Sequence, residues 1–132
     1  MYFNKNIEVR DSEIHGFGIF TNSFIPKGSV IMIIEGEVID EAECIRRENE
    51  ENNVYIFWNE NSYIDTIKTD KIKYINHDCD YNCEVADRDE NSLLLVASRD
   101  ILYHEELTID YGYEEIYDYC SCNTCAQSQK MV

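Results

Sequence analysis

The chain has 132 residues, 44% of them hydrophobic, which suffices for the core of one domain and argues against disorder. Its 27 acidic and 11 basic side chains give a formal net charge of −16, which disfavours direct nucleic-acid binding and favours a basic protein partner, although acidity could also serve only solubility. No apolar run reaches the roughly 18 residues of a membrane span, and the N-terminus lacks the apolar stretch of a secretory signal, so we expect an intracellular protein, either cytoplasmic or nuclear.

Short β-branched and aromatic runs separated by turn residues predict a succession of strands. In chain order the predicted strands cover residues 7–9, 19–21, 30–34, 54–58, 63–67, 93–97 and 107–111. One helix is predicted over residues 40–52, with Asp40 as its N-cap and Glu43 as the capping-box partner. Residues 76–82 are rich in Asn and Asp and therefore predict an irregular segment. The chain is expected to be mainly β.

Three separated segments contain residue types that could form a binding or catalytic site. Residues 16–18 (Gly-Phe-Gly) permit positive φ angles and a close approach of the backbone to a ligand, although this spacing alone is more typical of a turn. The Asn-His pair at 76–77 follows apolar residues, so it belongs either to a surface loop or to a hydrogen-bonded polar site. Residues 105–113 form a strand-like run that ends on two tyrosines, which singly are more typical of core or rim positions.

The order and spacing of these segments resemble the SET-domain family of protein lysine methyltransferases, over residues of about 7–125. The matches are HGFGIF for the G-x-G segment, EGEVI for the strand after it, YINHDCDYNC for the N-H-S-C-x-P-N motif and EELTIDY for the E-E-L-x-x-D-Y motif. Asp78 and Tyr81 replace the serine and the proline that the third motif usually has.

The resemblance implies a mainly β SET-domain fold of several small sheets with a knot-like core, one or two short helices and a zinc-binding C-terminal tail. S-adenosyl-L-methionine would lie on one face and a substrate peptide on the other, with a narrow channel for the lysine side chain between them. The implied cofactor-binding residues are Gly16, Phe17, Gly18, Tyr55, Asn76, His77 and Tyr111. Tyr111 is the first choice for catalysis, and Tyr55 would help to shape the channel as the second catalytic residue.

The resemblance also implies a function. The chain would transfer a methyl group from S-adenosyl-L-methionine to a lysine of a basic protein, with a histone tail as the leading substrate class and other basic proteins as an alternative. A catalytically silent SET-like module that binds a peptide, or a small zinc-binding interaction domain, would be a different class of protein. The small size of the chain leaves dimerisation open.

Three of the six cysteines lie close together near the C-terminus. The spacing Cys120-x-Cys122-x-x-Cys125 offers three thiolates, whereas structural zinc takes four ligands. The spacing alone therefore fits either part of a zinc site or a set of reduced surface thiols.

A zinc site is what the resemblance implies for these cysteines. The resemblance divides the chain into a SET domain at residues 1–115 and a post-SET-like cysteine tail at residues 116–132. Cys79 would supply the fourth ligand, and Cys83 is the alternative. Cys44, on the predicted helix, is interpreted as a packing residue.

Overall fold

The computed structural model describes residues 3–14, 16–53, 55–58 and 62–110, and within them the protein consists mainly of strands. Its elements are β1 (Ile7–Asp11), β2 (Phe17–Thr21), β3 (Val30–Ile34), β4 (Glu37–Ile39), α1 (Glu41–Glu50), β5 (Ile56–Trp58), β6 (Tyr63–Asp65), β7 (Asn76–His77), β8 (Cys83–Asp89), β9 (Ser92–Ala97) and β10 (Thr108–Ile109). Two 3₁₀ turns lie at Asn4–Asn6 and Ile72–Tyr74. The prediction of a mainly β protein is confirmed, and the predicted cysteine tail lies outside the described residues.

The described strands form four small sheets. β1 and β2 pair antiparallel, and β9 lies between β3 and β8 in an antiparallel sheet. β6 lies between β4 and β5 in a second antiparallel sheet, while β7 and β10 pair in parallel. Several small sheets, rather than one large sheet, agree with the fold that the resemblance implies.

Branched aliphatic side chains from several sheets share one hydrophobic core. Ile19 of β2, Ile34 of β3, Ile64 of β6 and Leu95 of β9 are all fully buried in it. Each such burial stabilises the fold by roughly 1.5–3 kcal/mol. Leu107, directly before β10, belongs to the same core, so the core fixes the end of the chain segment that leads into β10.

Two parts of the strand prediction need correction. The prediction that residues 76–82 are irregular is wrong for Asn76–His77, which form β7, because this short strand arises from its pairing with a distant segment and not from a local pattern. β8 was not predicted, because every side chain after Cys83 in this strand is exposed and the sequence lacks the usual apolar alternation. Pairing with β9 makes it a strand.

The predicted helix is confirmed as α1. Its N-cap is Asp40, whose side chain accepts a hydrogen bond from the backbone N–H of Glu43 at 2.9 Å. The carboxylate of Glu43 binds the side chain of Arg46. Cys44 is the buried residue of α1, which confirms its role in packing. No helix among the described residues is long and apolar enough to cross a membrane.

An internal ion pair connects α1 to β6. Nη1 of Arg47 and Nδ2 of Asn53 each donate a hydrogen bond of 2.8 Å to Oδ2 of Asp65, which is buried. Burial raises the pKa of Asp65, but the hydrogen bonds from the backbone N–H of Ile67 and from Arg47 and Asn53 outweigh it, so the pKa is lowered overall. Arg47 also pairs with Glu37, which is exposed, and with Glu43 of the same helix.

We expect the Asp65→Asn variant to lose roughly 3 kcal/mol of unfolding free energy at pH 7, because it removes one partner of a buried ion pair. Since the pKa of Asp65 is lowered in the folded state, its carboxylate stabilises the protein above the unfolded pKa of about 3.9 and this contribution is lost as the pH falls below that value. The difference between variant and wild type should therefore shrink below about pH 4. Urea unfolding at pH 7 and at pH 3.5 measures it.

The matched control is Glu37→Gln, which removes the exposed partner of the same arginine. It should destabilise the protein less than Asp65→Asn at pH 7. Equal losses in the two variants would contradict the assignment of Asp65 as the anchor of α1.

Candidate active site

The parallel pair of β7 and β10 brings two of the three sequence segments together. Asn76 lies opposite Thr108, and His77 lies opposite Ile109. The backbone N–H of Asp78 extends the contact by donating to the carbonyl of Ile109 at 3.2 Å. The Asn-His segment and the strand that precedes Tyr111 are therefore neighbours in space.

The glycine segment joins them through β2. Phe20 forms an isolated antiparallel bridge with Glu106, and the backbone N–H of Leu107 donates to the carbonyl of Ile19 at 2.8 Å. All three segments identified from the sequence thus meet at one place.

Three side chains form a hydrogen-bonded cluster at this meeting point, which we call the Ser12–Asn76–Glu106 cluster. Nδ2 of Asn76 lies 2.9 Å from Oε2 of Glu106, 3.1 Å from Oγ of Ser12 and 3.0 Å from the carbonyl oxygen of Phe17. The hydroxyl of Ser12 donates to the Glu106 carboxylate, with its oxygen 2.8 Å and 2.9 Å from the two carboxylate oxygens. The cluster therefore joins the end of β1, the start of β2, β7 and the segment before β10.

The two glycines of the G-x-G segment serve different purposes. Gly16 has φ of +45° and is exposed, and apart from its chain neighbours no atom of the described residues lies within 4 Å of the position that a Cβ would take. Gly18 is buried, and a Cβ there would lie 2.8 Å from Cδ of Glu106 and closer still to Oε2. Gly16 is thus required by its backbone conformation, and Gly18 by the carboxylate that occupies its side-chain space.

A second asparagine fixes the backbone around Glu106. Nδ2 of Asn82 donates to the carbonyl of Glu106 at 2.8 Å, and its Oδ1 accepts from the backbone N–H of Thr108 at 2.9 Å. Asn82 is buried, so both hydrogen bonds are shielded from water. The replacement of proline by Tyr81 leaves this contact intact.

His77 is 5% exposed and lies beside the cluster on β7. Its Nδ1 is 3.7 Å from Oδ1 of Asp110, and its Nε2 is 3.5 Å from Sγ of Cys79. Asp110 is the last described residue, and the predicted catalytic residue Tyr111 lies outside the described residues.

Tyr55 is half-buried, and hydrogen bonds of its backbone hold it in place. Its carbonyl accepts hydrogen bonds from the N–H and the hydroxyl of Thr66 at 3.0 Å and 2.6 Å, and its N–H donates to Oδ1 of Asn53 at 2.8 Å. These contacts fix Tyr55 beside β6 and do not join it to the Ser12–Asn76–Glu106 cluster. Its predicted role in the lysine channel stays a prediction.

The two predicted choices for a fourth zinc ligand differ in their surroundings. Cys79 is half-buried beside His77. Cys83 is fully buried in the core, where burial raises the pKa of its thiol to about 12. Because zinc takes the thiolate form, Cys79 is the better candidate. The other three predicted ligands, Cys120, Cys122 and Cys125, lie outside the described residues, and the part of the chain that is described contains no group of three or more residues suited to a metal.

Sequence reasoning missed two members of the cluster. Glu106 belongs to the E-E-L-x-x-D-Y motif, so the motif itself could have indicated it. Ser12 has no local signal, because it precedes the glycine segment as an ordinary polar residue after a strand.

Comparison with known proteins identifies the family. The family profile described as "SET domain" matches residues 16–112, which include Gly16, Asn76, Glu106 and Tyr111. The chain belongs to the SET-domain family. The profile spans all three segments that converge on the cluster, and it covers most of the chain.

Several named relatives share this SET domain. A Plasmodium falciparum protein whose name contains "histone-lysine N-methyltransferase" is 33% identical over 92% of the chain. The Arabidopsis thaliana "Histone-lysine N-methyltransferase ATX2" is 30% identical over 91% of the chain, and the Schizosaccharomyces pombe "Histone-lysine N-methyltransferase, H3 lysine-4 specific" is 30% identical over 89%. The chain spans only 2%, 12% and 14% of these three relatives, respectively.

We expect Gly18→Ala to destabilise the SET domain by roughly 1–3 kcal/mol, because the added methyl group displaces the Glu106 carboxylate and breaks its hydrogen bonds to Ser12 and Asn76. In a Glu106→Ala background the same substitution should cost less, since the carboxylate is gone and Nδ2 of Asn76, 3.1 Å from the Cβ position, is the close neighbour that remains. Urea unfolding of the two single variants and the double variant gives this coupling. An equal cost of Gly18→Ala in both backgrounds would show that Glu106 is not the reason for the glycine.

Proposed function

We propose that this SET domain transfers a methyl group from S-adenosyl-L-methionine to a lysine side chain of a basic protein, with a histone tail as the favoured substrate class. The observation that carries the proposal is the convergence of the three family segments on the Ser12–Asn76–Glu106 cluster. The names of the relatives support the reaction and the substrate class. A cytoplasmic or nuclear site of action follows from such a substrate.

The described residues fit a cofactor beside the G-x-G segment in two respects. Gly16 is exposed, its Cβ position is not occupied by the described residues, and Phe17 is 53% exposed. Phe17 is held from behind by an edge-to-face contact with Tyr74, at 5.9 Å between ring centroids. Gly16, Phe17 and Gly18 would hold the cofactor with Asn76 and His77, and Tyr55 and Tyr111 would complete the site.

The side-chain amide of Asn76 would contact the cofactor in a fixed orientation. Its amide nitrogen points at Glu106, Ser12 and the carbonyl of Phe17, and the planar amide therefore directs its oxygen away from the cluster. Such a preorganised amide does not need to reorient when a ligand binds, which lowers the cost of binding.

S-adenosyl-L-methionine, when bound, supplies a methyl group already activated by its sulfonium. The site must hold the lysine amine of the substrate in its uncharged form, although the pKa of that amine in water is about 10.4. Removal of water around the amine between aromatic walls lowers that pKa and favours the reactive form. We assign this task to Tyr111 as the catalytic residue, with Tyr55 shaping the channel.

The charge of the chain supports a basic substrate. A net charge of −16 attracts cationic peptides and raises their encounter rate with the protein. The same charge repels nucleic acid, so we propose that the chain binds a basic protein substrate directly and does not contact DNA or RNA. A homodimer of the chain stays a prediction.

We expect Tyr111→Phe to reduce kcat for lysine methylation by about 100-fold or more, because it removes the hydroxyl that we propose to act on the reacting amine. The measurement is transfer of label from tritiated S-adenosyl-L-methionine to core histones, with binding of the unlabelled cofactor followed by calorimetry. Tyr113→Phe is the matched control, since it removes the hydroxyl of the second tyrosine in the segment of residues 105–113.

Cofactor binding with transfer that Tyr111→Phe abolishes and Tyr113→Phe spares would support the proposal. Cofactor binding without transfer to any histone or other basic protein would favour a silent peptide-binding module. A folded protein that binds no cofactor would contradict the proposal.

We further propose a structural zinc site formed by Cys79, Cys120, Cys122 and Cys125. The described residues contain Cys79 with His77 beside it, and the other three cysteines have spacings suited to a shared metal. Such a site would tie the C-terminal residues to β7 and so to the cofactor side of the domain.

The purified protein should contain about one zinc ion per chain by mass spectrometry, and a chelator should abolish methylation while leaving the β-rich circular dichroism of the core. Cys79→Ser should lower the zinc content, whereas Cys83→Ala should retain it. Full zinc occupancy in Cys79→Ser would show that this residue is not a ligand.

A further inference from the structure

The half-buried carboxylate of Glu106 is held by neutral groups of the described residues. It accepts hydrogen bonds from two neutral groups, the hydroxyl of Ser12 and the amide of Asn76. No Lys, Arg or His nitrogen in the described residues lies within ion-pair distance of it. Within the described residues, its carboxylate is therefore held by neutral dipoles and not by a cation.

A carboxylate elsewhere in the described residues, that of Asp65, also accepts several internal hydrogen bonds but has a counter-charge. Asp65 is buried and has the guanidinium of Arg47 at 2.8 Å. Because a partly buried charge without a counter-charge is unfavourable, a nearby cation would stabilise Glu106. A positively charged ligand close to Glu106 would therefore stabilise the folded protein.

The position of Glu106 indicates which ligand that is. Its carboxylate fills the side-chain space of Gly18 and binds Asn76, so it lies directly behind two residues of the proposed cofactor site. S-adenosyl-L-methionine has a positively charged sulfonium, whereas the product S-adenosylhomocysteine has a neutral sulfur at the same position. A fixed negative charge behind the site therefore attracts the substrate form of the cofactor more strongly than the product form.

We propose that Glu106 is a specificity-determining residue whose carboxylate biases the site toward S-adenosyl-L-methionine and against S-adenosylhomocysteine. This inference rests on the proposed function. Glu106 acts at a distance, through its charge and through the amide of Asn76 that it orients. It is therefore a positioning residue and not a catalytic one.

The test compares the Kd values of the two ligands, measured by calorimetry on the full chain. Glu106→Gln keeps the shape of the side chain and removes its charge, and we expect it to shift the ratio of the two Kd values toward S-adenosylhomocysteine by roughly fivefold or more. A loss of structure alone would weaken the binding of both ligands together. The ratio of the two Kd values therefore isolates the effect of the charge.

Two matched controls separate the charge from other effects. Glu105→Gln removes the same charge from the adjacent residue, whose carboxylate accepts from the backbone N–H of Leu102 and not from the cluster. Ser12→Ala removes a hydrogen bond from Glu106 and leaves the charge in place. Both variants should keep the wild-type ratio.

A ratio unchanged in a folded Glu106→Gln variant, or shifted equally in Glu105→Gln, would overturn the inference while leaving the proposed function intact. Failure of the wild-type protein to bind either ligand would overturn both. If Glu106→Gln does not fold, the same ratio is measured in Glu106→Ala, which also removes the charge and leaves the G-x-G segment unchanged.

Discussion

The structure of the candidate site depends on the hydrogen bonds of a single carboxylate. Glu106 joins Ser12 and Asn76, and its side chain requires a glycine at position 18. Its backbone is held in turn by Asn82. Segments from the beginning, middle and end of the described chain thus reach one point, although the strands that carry them are short and belong to different sheets.

This constraint explains why so small a sheet as β7–β10 can persist. Two residue pairs form few backbone hydrogen bonds, and such a ladder would not be stable in isolation. The pair is supported on one side by the buried Leu107 and Ile109, and on the other by the side-chain contacts of Asn76 and Asn82. The polar cluster and the hydrophobic core therefore cooperate, and the candidate site lies where they meet.

Local patterns in the sequence predicted the parts of the fold that local chemistry determines. The cap at Asp40, the β-branched run of β3 and the leucine-rich run of β9 are encoded within a few residues, and they were predicted correctly. β8 and β7 could not be predicted in this way, because partners distant in the sequence make them strands. For the site, the glycines and Asn76 were recognised, but the reason for Gly18 depends on Glu106, which is 88 positions away in the chain.

The central claim is that residues from three distant segments form one cofactor site around the Ser12–Asn76–Glu106 cluster. Hydrogen–deuterium exchange of the full chain, with and without S-adenosyl-L-methionine, tests it most directly. The account predicts that the cofactor slows exchange together in residues 12–20, 76–82 and 106–110 and leaves the hairpin of β8 and β9 unchanged. Slowed exchange in only one of these segments, or only in the β8–β9 hairpin, would contradict it.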